Sequence, residues 1–215
     1  QRFFVSSQLR SEITPVDCSS REPAVFLGPE GRSIKTENPL MKAALLILSQ
    51  TWPHAVHFHE LLNGARTLCG RVAVEDGAEM LHDVRVLAAS LLRAYAGTTI
   101  EFHVWSPRFV SQPSEHPIAS PLARLQVCEE QKVMNLRHED IAVEGSFERH
   151  LLQLLDGSRD RAALLNDLSK LVEMGNLTIQ KDGEPITDLE IARQTITTDL
   201  ENKLAEIGKN ALLVA

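Results

Sequence analysis

The sequence predicts an α+β protein, mainly helical, built as two winged-helix-like domains joined by a proline-rich connector. Three observations predict it. Residues 135–177 read as two amphipathic helices around a capped turn, running on into a short strand. Residues 36–105 read as three helices followed by a half-buried strand. Between them, residues 106–121 hold Pro107, Pro113, Pro117 and Pro121 among Ser, Gln and His. Proline fixes φ and removes a backbone donor, so this stretch reads as a connector. The domains so drawn are 1–121 and 122–215.

The bulk composition agrees. A chain of 215 residues, 43% hydrophobic and 24% charged, has the balance of an ordinary globular protein of one large or two small domains. No apolar run reaches the length of a membrane span. The start, Gln1-Arg2-Phe3-Phe4, lacks the basic segment, apolar core and cleavage site of a signal peptide, and the absence of Met predicts a piece of a longer polypeptide. Cys18, Cys69 and Cys128 are odd in number and widely spaced, with no CxxC pair. They read as reduced thiols of a cytoplasmic protein, Cys69 packing on an apolar helix face rather than acting as a nucleophile.

In chain order, residues 2–9 alternate as a strand, and Val25-Phe26-Leu27 pairs with Ser33-Ile34-Lys35 across a turn at Gly28-Pro29-Glu30-Gly31. That glycine pair lacks the spacing and the following Lys of a phosphate loop. Asn38 and Pro39 supply the cap and first residue of a helix whose inner face is Leu40, Ala43, Ala44, Ile47 and Leu48, ended by Trp52-Pro53. After an extended piece at 56–58, a second helix turns Leu61, Leu62, Ala65 and Leu68 inward. A third, over 77–96, carries Met80, Leu81, Val84, Ala88, Leu91, Leu92 and Tyr95 on one side and closes at Gly97. Residues 99–105 then alternate as a strand.

The second half opens with a short helix over 122–130 and a strand over 132–136. Phe147, Leu151, Leu152 and Leu155 share one helical face, and Leu164, Leu165, Leu168, Leu171 and Val172 another. Between them Gly157 suits the left-handed end of a helix, Ser158 is placed to cap the next one, and Asp160 favours the positive end of its dipole. Gly175 closes the second helix, and residues 177–180 run as a strand to a turn at Asp182-Gly183. In the tail, Thr187 with Glu190 and Thr198 with Glu201 match capping boxes. Leu189, Ile196, Leu200, Leu204, Ile207 and Ala211 keep helical spacing. The β-branched run 195–198 predicts one bent helix or two consecutive ones.

Three places could carry chemistry. His54, His57 and His59, with Glu60 beside them, offer imidazoles that would project to one side of a strand, so they are the candidate metal ligands, set against a helix start with exposed histidines. Arg137-His138-Glu139-Asp140 reads as a charged turn, with a catalytic cluster as the alternative. Arg159, Asp160 and Arg161 read as a salt-linked first turn, or as a docking patch for a partner. No catalytic or cofactor-binding residue is assigned. A winged-helix outline suggests DNA, but the net charge of −7 argues against a duplex-binding face. Residues 36–105 hold five basic side chains (Lys42, Arg66, Arg71, Arg85, Arg93) against seven acidic ones.

The segment NLRHEDIAVEGSFERHLLQLLDGSRDRAALLNDLSKLVEMGNL, with LLDGSRDRAAL as its most specific part, resembles the C-terminal part of a bacterial group of class I S-adenosylmethionine-dependent methyltransferases. That group carries a methyltransferase regulatory domain and is similar to the rickettsial outer-membrane-protein lysine methyltransferases. Arg2-Phe3-Phe4, residues 34–65, Ala123-Arg124-Leu125-Gln126 and the ending Ala211-Leu212-Leu213-Val214-Ala215 also match. The resemblance implies a regulatory middle domain over 1–121 and a winged-helix-like C-terminal domain over 122–215. In the family these follow a Rossmann-type domain that binds S-adenosylmethionine. No strand here leads into the Gly-rich turn such a domain needs, so the cofactor is implied for the parent enzyme alone. The expected partners are the catalytic methyltransferase domain and a protein substrate, with no membrane and no nucleic acid. The oligomeric state, a homodimer included, is left open. The expected function is that of a non-catalytic accessory region; the alternative is a stand-alone winged-helix regulator binding DNA or a protein partner.

Overall fold

The computed structural model describes residues 3–71, 77–106, 108–181, 184–186 and 188–214. The chain forms two compact units, Gln1–Pro107 and Arg108–Ala215.

In the first unit β1 (Phe4–Ser6) is followed by β2 (Arg10–Ser11), β3 (Ala24–Leu27) and β4 (Ser33–Thr36), the last three forming an antiparallel sheet in which Phe26 faces Ile34. Helix α1 (Pro39–Thr51) starts as the sequence requires. Asn38 Oδ1 accepts the Met41 N–H at 3.2 Å and Pro39 occupies the first turn. Such a cap is worth about 1 kcal/mol. The helix lies deeper than its amphipathic stripe suggests, because Met41, Lys42 and Leu45 are buried as well. The Lys42 stem lies in the core, and its ammonium donates to the carbonyl oxygens of Asp17 (2.7 Å), Ser20 (2.8 Å) and Glu22 (3.0 Å). Three acceptors make burial of that charge tolerable.

After β5 (Val56–His57) come α2 (Phe58–Leu68), α3 (Gly77–Ala96) and β6 (Glu101–His103). The strands pair antiparallel in the order β5-β1-β6, so the N-terminal strand holds the middle of the sheet. Residues 36–105 therefore do not complete their own winged-helix sheet. Helix α3 is also rotated from its expected face. It buries Asp83, Leu87, Leu91 and Ala94, whereas Leu81, Leu92 and Tyr95 are half exposed. Apolar spacing cannot reveal a buried stripe that contains an aspartate, and here Asp83 is neutralised by Arg66 and Arg71. Thr98, with φ 55°, takes the left-handed position expected of Gly97.

The second unit contains α4 (Pro121–Glu129), β7 (Lys132–Met134), β8 (Asp140–Ala142), α5 (Ser146–Leu154), α6 (Arg161–Glu173), β9 (Gln180–Lys181), β10 (Glu184–Pro185) and α7 (Leu189–Lys209). Its core joins Val127, Val133, Leu151, Leu152, Leu164, Leu168, Ile196, Leu200, Leu204 and Leu213. Residues 108–120 are not a free connector. Val110 and Ala119 each bridge Leu213, Ile118 bridges Asp156, and the Ala119 N–H bonds the Leu155 carbonyl at 2.8 Å. The proline-rich stretch, short of donors, is held to this unit by the backbone groups it retains.

Gly157, at φ 85°, makes the turn between α5 and α6. The cap of α6 is Asp160, whose carboxylate accepts the Ala163 N–H at 2.8 Å, rather than Ser158, which bonds Asp156 instead. Helix α7 is continuous. Thr195, Thr197 and Thr198 donate their hydroxyls to the carbonyls of Ile191, Arg193 and Gln194, which satisfies the β-branched run inside a helix. Thr198 thus lies mid-helix and caps nothing, and Asp188 caps α7. The strand expected over 177–180 is reduced to Gln180–Lys181 in β9. Arg2, Asp182-Gly183, Thr187, Pro107 and Ala215 fall outside the described residues. No helix among the described residues is long and apolar enough to cross a membrane.

Candidate functional site

In the second unit a groove of about 230 Å³ runs beside β8, the start of α5 and the last turns of α7. Leu152, Ile207 and Leu212 form its apolar floor, and Glu144, Glu148, Lys203 and Glu206 its charged walls. Local sequence builds each side. The hairpin of β7 and β8 turns on Asn135, whose Oδ1 accepts the N–H groups of Arg137 and Glu139, both at 2.9 Å. Its Nδ2 donates at 3.0 Å to Glu139 Oε2 and to the Asn210 carbonyl at the end of α7. Arg137 Nε lies 3.3 Å from Glu139 Oε2. The Arg137–Asp140 group is thus a charged turn that ties the hairpin to α7.

At the start of α5, Glu148 folds back across Gly145, onto the space a Cβ at residue 145 would fill. From there Glu148 Oε1 meets Lys203 Nζ at 2.6 Å, while Glu206 Oε2 approaches the same ammonium at 3.1 Å. The Glu148 bond, then the Glu206 bond, hold the Lys203 pKa above its ordinary value. Three carboxylates in the groove thus face one ammonium.

The edge of β8 faces this groove. Val143 N–H bonds Gln131 O (2.8 Å) and Asn135 N–H bonds Glu139 O (3.0 Å), which fixes the bonded pairs of the ladder at 131–143, 133–141 and 135–139. The N–H and C=O groups of Asp140 and Ala142 therefore point away from β7. On the opposite edge Gln126 Oε1 accepts the Met134 N–H at 2.9 Å.

The histidines behave differently. His57 lies at the end of β5 and His59 in the first turn of α2, so strand alternation does not align them. Their rings stack at 6.3 Å, and Phe4 meets His57 edge-on. His54 lies in the turn before β5. Among the described residues no group of three or more His, Cys, Asp and Glu side chains could hold a metal ion. Burial raises the pKa of the Cys18 and Cys69 thiols, the opposite of what a nucleophile requires.

Arg159, Asp160 and Arg161 serve the fold. Arg159 joins Asp156 (2.7 Å) to Asp167 (2.9 Å), and Arg161 reaches Glu201 (3.1 Å) and the carbonyls of Ser114 and Glu115.

Sequence reasoning missed a cluster in the first unit. Ser6 Oγ lies 3.0 Å from Glu101 Oε2 and 3.0 Å from His103 Nε2. The spacing of Glu101 and His103 on one strand face was its signal. Glu101 contacts the same ring nitrogen as Ser6, at 3.3 Å, and Ser6 is buried. A nucleophilic triad needs the acid on the other nitrogen and an accessible hydroxyl, so this cluster locks the sheet.

The family model described as PKMT, C-terminal winged helix domain, matches residues 115–212. The match covers most of the second unit. The matched residues include α4 through α7 and the residues that line the groove. An uncharacterized protein of Rickettsia prowazekii is 26% identical over 188 residues, 87% of this chain and 33% of its own length. PKMT2 from Rickettsia typhi, 17% identical, matches with a TM-score of 0.78 over 99% of this chain and 43% of its own. The same protein in complex with AdoHcy gives 0.77, over 42% of its length. These structural likenesses show the fold. This chain spans about a third of the curated relative and less than half of the solved chains. The resemblance to rickettsial protein lysine methyltransferases holds in the winged-helix region.

Strand pairs among the described residues are antiparallel. A nucleoside cofactor of the AdoHcy type needs a Gly-rich turn at the end of a parallel strand. The described residues do not fit that requirement.

Proposed function

We propose that this chain is the non-catalytic accessory region of an S-adenosylmethionine-dependent methyltransferase acting on protein. In this reading its first unit is the regulatory middle domain and its second the C-terminal winged-helix domain. It positions the polypeptide acceptor for the catalytic domain, or regulates that domain. The observation that carries the reading is the match of residues 115–212 to the PKMT winged helix domain. The acidic groove adds support, since a lysine-bearing acceptor is cationic. The net charge of −7 weighs against the DNA-binding alternative.

Methyl transfer from labelled S-adenosylmethionine to protein substrates tests this, comparing a methyltransferase that carries the region with the same enzyme lacking it. Loss of transfer to protein with cofactor binding retained is the expected result. Retention of both overturns the accessory reading.

A further inference from the structure

We infer that the free edge of β8 and the groove beneath it bind an extended, lysine-bearing polypeptide segment as an added strand. The inference rests on the accessory reading and names the recognition element of its substrate-positioning branch.

The backbone supplies the first argument. Asp140 and Ala142 are exposed, the register directs their N–H and C=O groups away from β7, and Ala142 lines the groove. Neither residue has a hydrogen-bond partner for those groups among the described residues. An edge with unpaired groups is a template for an extended chain. On the other side of the hairpin Gln126 takes the Met134 N–H and α4 packs against β7, so the open approach is along β8.

Groove chemistry supplies the second argument. A strand laid along β8 sends alternate side chains to opposite faces. Those on the face of Val143 meet Leu152, Ile207 and Leu212, which suits apolar residues. The charged walls present Glu144, Glu148 and Glu206 against Lys203 alone. Lys203 is engaged by Glu148 at 2.6 Å, and Glu206, whose side chain is 58% exposed, keeps acceptor capacity. An incoming ammonium finds a carboxylate there, whereas an acidic segment finds like charge. The occupant that fits is therefore extended, alternately apolar and basic, and pairs through its own backbone.

The test is a fluorescence-anisotropy titration of this chain with a labelled peptide of alternating valine and lysine. Controls are the same peptide N-methylated on alternate amides and a peptide with glutamate in place of lysine. Ala142→Pro removes an outward N–H without breaking the pairing to β7, because proline is tolerated on an open edge. It should weaken binding about tenfold, the worth of one hydrogen bond with its desolvation. Glu206→Gln should weaken binding about two- to fivefold and reduce its salt dependence. The N-methylated and glutamate peptides, which leave the protein untouched, should fail to bind. Equal binding of the lysine and glutamate peptides, or of the methylated and plain ones, overturns the proposal. So does unchanged affinity in both variants. The accessory reading is judged separately: if removing the region abolishes protein methylation while Ala142→Pro leaves it intact, the region acts but not through this edge.

Discussion

Lys42 Nζ lies 2.7 Å from the backbone carbonyl oxygen of Asp17 and 3.0 Å from that of Glu22, so one buried ammonium holds both ends of a surface loop. Lys42→Met keeps the apolar stem but leaves these carbonyls without a donor. Each hydrogen bond to a charged group is worth about 1.5–3 kcal/mol, and the net loss should be about 2–4 kcal/mol. Urea unfolding should show the loss, and limited proteolysis should cut within residues 17–22 of the variant before the parent.

Asp83 is the buried counter-ion of Arg66, with Arg71 on its other oxygen. Asp83→Leu strands a buried guanidinium and should cost about 3–5 kcal/mol. Adding Arg66→Met should recover most of that loss, because two apolar residues can replace a buried pair. Thermal melts of the two single variants and the double variant decide it. A double variant no more stable than Asp83→Leu would show that the pair is needed for more than neutralising burial.

Gly208 in α7 has the backbone carbonyl of Ser111 directly against it, where a Cβ would lie. Helix propensity favours alanine over glycine by about 1 kcal/mol. Overpacking against backbone costs about 1–3 kcal/mol and should prevail. Gly208→Ala should therefore lower the melting temperature, with faster exchange at the amides of Val110 and Ala119 in hydrogen-exchange measurements.

The pKa of Asp156 is held down by the Ser158 hydroxyl and N–H and then by Arg159, and that of Asp167 by Arg159 and Lys170. Their folded values lie below their unfolded ones. The stability they contribute is present above the unfolded carboxylate value of about 4 and is lost as the pH falls through the folded values. Asp156→Asn should flatten the acid limb of the stability profile. The change should be seen by far-ultraviolet circular dichroism, which follows the helices α5 and α6 on either side of Asp156.

The sequence by itself determined the local devices. The Asn38 and Pro39 helix start, the Gly157 turn and the stripes of α5 and α6 are written in neighbouring residues, whose backbone preferences act over a few positions. The resemblance that the winged-helix match over residues 115–212 supports was legible from the segment around LLDGSRDRAAL. Only the tertiary structure decided which side of α3 is buried, since that depends on an aspartate finding two arginines. It also decided that β1 fills the centre of a sheet and that residues 108–120 pack on the second unit, both long-range pairings that no local period encodes. The groove belongs to the same class. Glu148 lies far in sequence from Lys203 and Glu206, and the three share one groove because α7 returns beside β8.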